Sequence, residues 1–183
     1  VWQVSSLNTF RVIEEDTGFI LSLAYNPTQN QIASSSRKRA TIRSAGIIHI
    51  WDDTLGLLVE ELSSGGEQPY RSLSYKPDGR ELISAKSGGS IDKWNVATKE
   101  LVSTIHTEHP QDMEKSLDQV KYSPDGTSIA AVFKNFYGVG GSIIEIRGSS
   151  SGNLMTTLTL TDTLIVSIAY RPDGKMIVAG TDQ

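Results

Sequence analysis

At 183 residues, 38% hydrophobic and 21% charged, the chain has the composition of a globular protein and can bury a sizeable core. A net charge of −4 argues against a broad electrostatic grip on nucleic acid, and no apolar run approaches the roughly 20 residues of a membrane-spanning helix. With no cysteine, a disulfide framework and thiolate metal sites are excluded. The chain opens at Val1 without Met or a signal-like segment and reads as an excised or processed piece, which leaves the compartment undetermined and the cytoplasm favoured.

In chain order, the opening VWQVSSLNTFRVI reads as two strands around a polar turn. From Leu23 comes LAYNPTQNQIASS, an alternating apolar strand, a proline-led turn and a second apolar strand. The same shape returns as LSYKPDGRELISA from Leu73, VKYSPDGTSIAAV from Val120 and IAYRPDGKMIVAG from Ile168. The tyrosines that anchor these units are Tyr25, Tyr75, Tyr122 and Tyr170, spaced 50, 47 and 48 residues apart. Proline presets φ in the turn and glycine supplies φ > 0, so each segment is a hairpin with a mechanism. Between them lie GIIHIWDDTLGLLVEEL from Gly46, SIDKWNVATKELVSTI from Ser90 and SIIEIRGSSSGNLMTTL from Ser142, each again strand, polar turn, strand. No ten-residue stretch carries helical periodicity. Each unit is therefore a four-stranded antiparallel meander, and self-similarity at this period is the mark of a repeat architecture.

These units resemble the WD-repeat family. The residues that carry the resemblance are the four Tyr-x-Pro turns, three of them Pro-Asp-Gly, with Trp51-Asp52, Trp94-Asn95 and Trp2-Gln3 at the ends of third strands. The resemblance spans essentially the whole chain and implies an all-β β-propeller of four-stranded antiparallel blades. About four blades fall within residues 1–183 as one propeller region, with residues 1–15 completing a neighbouring blade, and the chain is either a fragment of a larger ring or closes its ring by self-association. Family blades often carry a Gly-His pair before the first strand and an Asp before the third. The matching positions here are Asp16, Gly66, Met113 and Thr161 for the His, and Ala45, Gly88 and Gly140 for the Asp, the last counted from Ile146 as the tryptophan equivalent. The buried polar network is thus expected to be largely missing. A TolB-like propeller, which also repeats a Pro-Asp-Gly turn, is the rival reading.

Loop lengths vary in only two places, between the second and third strands and between blades. In a meander both connections leave by the same end, so the long loops are expected on one face, where binding is expected too. The first of these loops holds Arg37, Lys38, Arg39 and Arg43, suited to an acidic peptide or a phosphate, or simply solvated. Phe136 and Tyr137 stand beside a glycine run in another, either as interface anchors or folded back on the disc. The third contains His106, Glu108, His109 and Asp112, in which a polar loop is preferred to a zinc site. No Gly-x-Ser-x-Gly elbow is present, and YGVGGS lacks the Lys-Ser/Thr ending of a phosphate loop. The expectation is a non-enzymatic platform for protein or peptide partners that uses no cofactor, metal or membrane. The alternative is a propeller that senses a small ligand or anion, or one attached to an enzyme.

Overall fold

The computed structural model describes residues 2–3, 8–9, 18–37, 46–65, 68–107, 115–135 and 141–182. Every regular element among them is a strand. The strands are β1 (Trp2–Gln3), β2 (Asn8–Thr9), β3 (Phe19–Tyr25), β4 (Gln31–Arg37), β5 (Ile47–Asp52), β6 (Leu58–Leu62), β7 (Tyr70–Tyr75) and β8 (Glu81–Lys86). They continue with β9 (Ser90–Asn95), β10 (Leu101–His106), β11 (Lys115–Tyr122), β12 (Ser128–Asn135), β13 (Ser142–Gly148), β14 (Leu154–Leu160), β15 (Ile165–Tyr170) and β16 (Ile177–Thr181). Three four-stranded meanders, β3 to β6, β7 to β10 and β11 to β14, follow one another between two two-stranded pairs, β1–β2 and β15–β16. All pairings are antiparallel. The meanders have the build of propeller blades, here the first, second and third, with β15–β16 as a fourth pair.

The proline-led turns form because their chemistry is local. In the second blade, Lys76 N–H donates to the Glu81 carbonyl at 2.9 Å and Gly79 N–H to the Lys76 carbonyl at 2.8 Å, with Gly79 at φ 70°. The Asp78 carboxylate closes the loop by accepting the Arg80 N–H at 2.9 Å. Asp125 and Asp173 repeat that bond to Thr127 and Lys175. In the outer turns, Asp52 caps the N–H groups of Thr54 and Leu55, and Asn95 those of Ala97 and Thr98. A short side-chain acceptor after the tryptophan thus has a structural reason, the Asx-type turn.

Alternation along the strands sends successive side chains to opposite faces, and the buried faces meet a neighbouring blade. Ala33, Ile48, Ile50 and Leu62 pack with Leu73, Tyr75, Leu82 and Trp94 between the first and second blades. Ile83, Ala85 and Ile91 pack with Leu117, Val120 and Phe133 between the second and third. Ala130, Val132 and Ile144 pack with Ile165 and Ile168 against the fourth pair. First strands form the spine, with β7 between β3 and β11, and β11 reaching β15. The core is therefore a stack of apolar layers, one per junction.

Hydrogen bonds tie the junctions along the spine. Ser22 Oγ accepts the Leu73 N–H at 3.0 Å, Ser72 Oγ accepts the Val120 N–H at 3.2 Å, and Gln119 Nε2 donates to the Val166 carbonyl at 2.7 Å. Ser22, Ser72 and Gln119 occupy one repeat position, three before the tyrosine, and Ser167 holds it in the fourth pair.

The candidate functional site

The roots of the long connections do lie together. Gly46, just before β5, donates to the Gln68 carbonyl at 3.1 Å, and Ser63 donates to the Gly46 carbonyl at 3.2 Å. Ser87 N–H donates to the Pro69 carbonyl at 3.3 Å, and Ser116 Oγ to the Ser87 carbonyl at 3.0 Å. Thr107 bonds the Gly89 carbonyl, and Ser142 Oγ accepts the Ile165 N–H at 2.9 Å. One rim is thus laced from the first blade to the fourth pair. The proline-led turns lace the other rim, where Asn26 Nδ2 donates to the Gly79 carbonyl at 3.1 Å and Tyr122 OH to Glu81 at 3.2 Å.

Of the residues expected to bind a partner, Arg37 is placed. It ends β4, half-buried, opposite Phe19 of β3. Lys38, Arg39, Arg43, Phe136 and Tyr137 lie outside the described residues, as do Glu108, His109 and Asp112. His106 is described and exposed at the end of β10. The second and third strands are joined by residues 38–46 in the first blade, 87–89 in the second and 136–141 in the third, so the two long connections flank a tight one.

The third strands carry a set of buried polar residues that the sequence reading underrated. Trp51 Nε1 donates to Ser34 Oγ, and Trp94 Nε1 to Ser84 Oγ, both at 2.9 Å. A buried Trp–Ser hydrogen bond is therefore present in two blades. Strand register also corrects the alignment of the third blade. Ile32 faces Trp51, Leu82 faces Trp94, and Ile129 faces Arg147, so Arg147 rather than Ile146 occupies the tryptophan position. The β13–β14 pairing shifts between Ile146 and Arg147, the same bulge that the first two blades carry beside Trp51 and Trp94. With Arg147 as reference, the span to the first fourth-strand partner is the same in all three blades, Trp51 to Leu58, Trp94 to Leu101 and Arg147 to Leu154.

Two residues before the tryptophan position, on the same face, stand His49, Asp92 and Glu145, all buried. His49 Nε2 lies 3.4 Å from Glu61. Asp92, wholly buried, is met by Lys86 Nζ at 2.8 Å, Ser64 Oγ at 2.6 Å, Thr104 Oγ1 at 2.7 Å and Tyr70 OH at 3.3 Å. Burial pushes its carboxyl pKa up, but the bonds from Lys86, Ser64 and Thr104 and the Lys86 charge outweigh this and hold it below the ordinary aspartate value. Burial raises the Tyr70 hydroxyl to about 12. Because Ser64 follows β6, this cluster bolts the first blade to the second. The sequence signal was weak, since the partners come from 28, 22 and 12 residues away.

Facing the spine, a cleft of about 370 Å³ is lined by Ser22, Arg71, Ser72, Asp118, Gln119 and Lys121 among others. Asp118 takes Lys134 at 2.7 Å and Arg71 at 3.7 Å, and Lys121 also lines the cleft.

No family model matches the chain. Over 108 residues it is 25% identical to transcription initiation factor TFIID subunit 5 of Caenorhabditis elegans, a match that covers 59% of this chain and 15% of that protein. The chain thus corresponds to a small part of that relative, and its four-stranded sheets suit the WD-repeat reading that the match suggests.

Proposed function

We propose that the chain is a non-catalytic platform of the WD-repeat type, which engages a protein or peptide partner through the rim of long connections. The supporting observation is that this rim stands on a regular frame, with hydrogen-bonded roots and three repeating sheets, while its connections are uneven, 38–46 and 136–141 against 87–89, and 63–69 and 107–114 against 161–164. Rigid scaffolds that vary only in loops on one face place recognition there. The relative is a subunit of a multi-component factor, which favours protein partners and a role without catalysis. Arg37, Lys38, Arg39 and Arg43 supply charge-assisted bonds to acidic groups, and Phe136 and Tyr137 supply apolar anchors. At the two ends of the stack, Leu23 and Tyr25 on one side and Val166 and Val178 on the other are exposed, and each face suits a further blade, either of the same chain or of a second copy.

Quantitative affinity capture with the parent and two variants tests this reading. Serine at 37, 38, 39 and 43, or alanine at 136 and 137, is expected to lower recovery of specific partners at least tenfold with the fold unchanged. Recovery that survives both would move binding to the rim of proline-led turns. The second reading, a small ligand at the spine, has the cleft in its favour. A thermal-shift screen with nucleotides, sugars and divalent ions checks it, because a ligand of the folded state raises the melting temperature by mass action.

A further inference from the structure

The three blades end on outer edges of different chemistry. A fourth strand is paired on one side alone, so its outward N–H and C=O groups have no strand partner among the described residues. Such an edge accepts another strand unless charge, proline, a bulge or shortness blunts it. In the first blade β6 has five residues and carries Glu60 and Glu61. In the second, β10 has six, follows Lys99 and Glu100, ends on His106 and is half-buried at Thr104 and Ile105. In the third, β14 has seven, Leu-Met-Thr-Thr-Leu-Thr-Leu, and residues 148–161 include no charged side chain and no proline. Every residue from Leu154 to Thr159 is exposed, Met155 at 67%. The bulge falls at the start of β14, and Thr156 to Leu160 pair residue for residue with β13. Leu101 and Val102 of β10 are also exposed although their blade packs against a neighbour on either side, so a fourth strand is open wherever it stands in the stack.

The sequence of β14 also selects the occupant, because it suits itself in reverse. An antiparallel copy centred on Leu158 sets Leu158 against Leu158, Thr157 against Thr159 and Thr156 against Leu160. All of these pairs are uncharged, and apolar and Thr–Thr pairs across strands are favourable. The same operation about the middle of β6 sets Glu60 against Glu60, a repulsive pair. We propose that β14 pairs antiparallel with β14 of a second copy of this chain, about a two-fold axis at Leu158, and joins two third-blade sheets into one continuous sheet. The contact is isologous, so it closes at two chains and does not propagate. A single added strand makes a small interface, which places the dimer among weak, concentration-dependent associations. None of the residues assigned to the partner surface takes part, so failure of this pairing leaves the platform reading untouched.

Sedimentation velocity of the full chain over a concentration series, combined with cysteine cross-linking, tests the pairing. The chain has no cysteine, so each single-cysteine variant reports one position. L158C is expected to give a disulfide-linked dimer under mild oxidation, because directly opposed residues of antiparallel strands hold their Cα atoms about 4.5–5.5 Å apart, within disulfide reach. L154C, which this axis sets far out of register with its counterpart, is expected to cross-link at least tenfold less. T157K/T159K, which sets lysine against lysine at exposed positions, is expected to weaken the dimer at least tenfold with the thermal transition unchanged. V102K, on the exposed edge of β10, is expected to leave the dimer as it is. If the double lysine variant does not fold, the two cross-linking yields decide. Equal cross-linking at both cysteines, a dimer undiminished by T157K/T159K, or one weakened equally by V102K would overturn the proposal. So would a chain that stays monomeric, which would leave the edge to a strand of another protein.

Discussion

Single side chains in this protein act by what they satisfy at a blade junction. Trp94 fills the layer between the first and second blades and places one N–H on Ser84, so W94F both opens space and strands a hydroxyl. It is expected to cost roughly 2 kcal/mol in urea denaturation, and S84A about 1 kcal/mol. Asp92 carries more, because its four donors come from both sides of the junction. D92N is expected to cost roughly 3 kcal/mol at pH 7, since Lys86 loses its partner in a buried setting. The pH dependence has a definite sign. The folded pKa of Asp92 lies below the unfolded value near 3.8, so its contribution is fully present above that value and is lost as pH falls through the folded one. The parent should therefore lose stability more steeply than D92N below about pH 4. A parallel loss in both proteins would show that the cluster does not stabilise the fold. Asp92 was not legible in the sequence, where it is one acidic residue in a strand. Trp51 and Trp94 were, because their motif is contiguous.

Elements follow from local chemistry where the chain supplies it. Tyr-x-Pro-Asp-Gly announces a hairpin because proline, a carboxylate cap and a glycine at positive φ act within three residues. Third-strand register was less legible. An apolar pattern marks Ile146, whereas the unbroken β12–β13 register sets Arg147 opposite Ile129, and the bulge beside it recurs at Trp51 and Trp94 in the other two blades. The polar residue three before each tyrosine, Ser22, Ser72 and Gln119, could have been found, for an uncharged polar side chain recurring in an otherwise apolar strand signals a buried acceptor or donor. Two glycines separate intrinsic turn strain from junction packing. Both Gly79 and Gly174 have φ near 70°, but a Cβ on Gly79 would stand 1.9 Å from Thr28 Oγ1 of the first blade, whereas one on Gly174 would meet nothing closer than Pro124 Cδ at 3.7 Å. G174A is expected to cost about 1 kcal/mol and G79A at least twice that, measured by thermal or chemical unfolding. Equal losses would mean that the two proline-led turns do not touch as described.

At the scale of the molecule, repetition made the architecture readable. Four proline-led hairpins at near-constant spacing define sheets that cannot bury both faces alone, so they stack. Of the proposed partner surface, Arg37 is among the described residues and Lys38, Arg39, Arg43, Phe136 and Tyr137 fall outside them; the sequence names them without saying how they converge. The proposed surface depends on the stack, and the stack rests on the first strands meeting in sequence order. Inter-strand nuclear Overhauser contacts between amide and side-chain protons test this most directly. Contacts from Ser22 to Leu73, Ser72 to Val120 and Gln119 to Val166 are expected together, one at each junction. Their absence, with the proline-led hairpins still formed within each unit, would show separate sheets rather than a blade stack and would remove the single rim on which the functional reading stands.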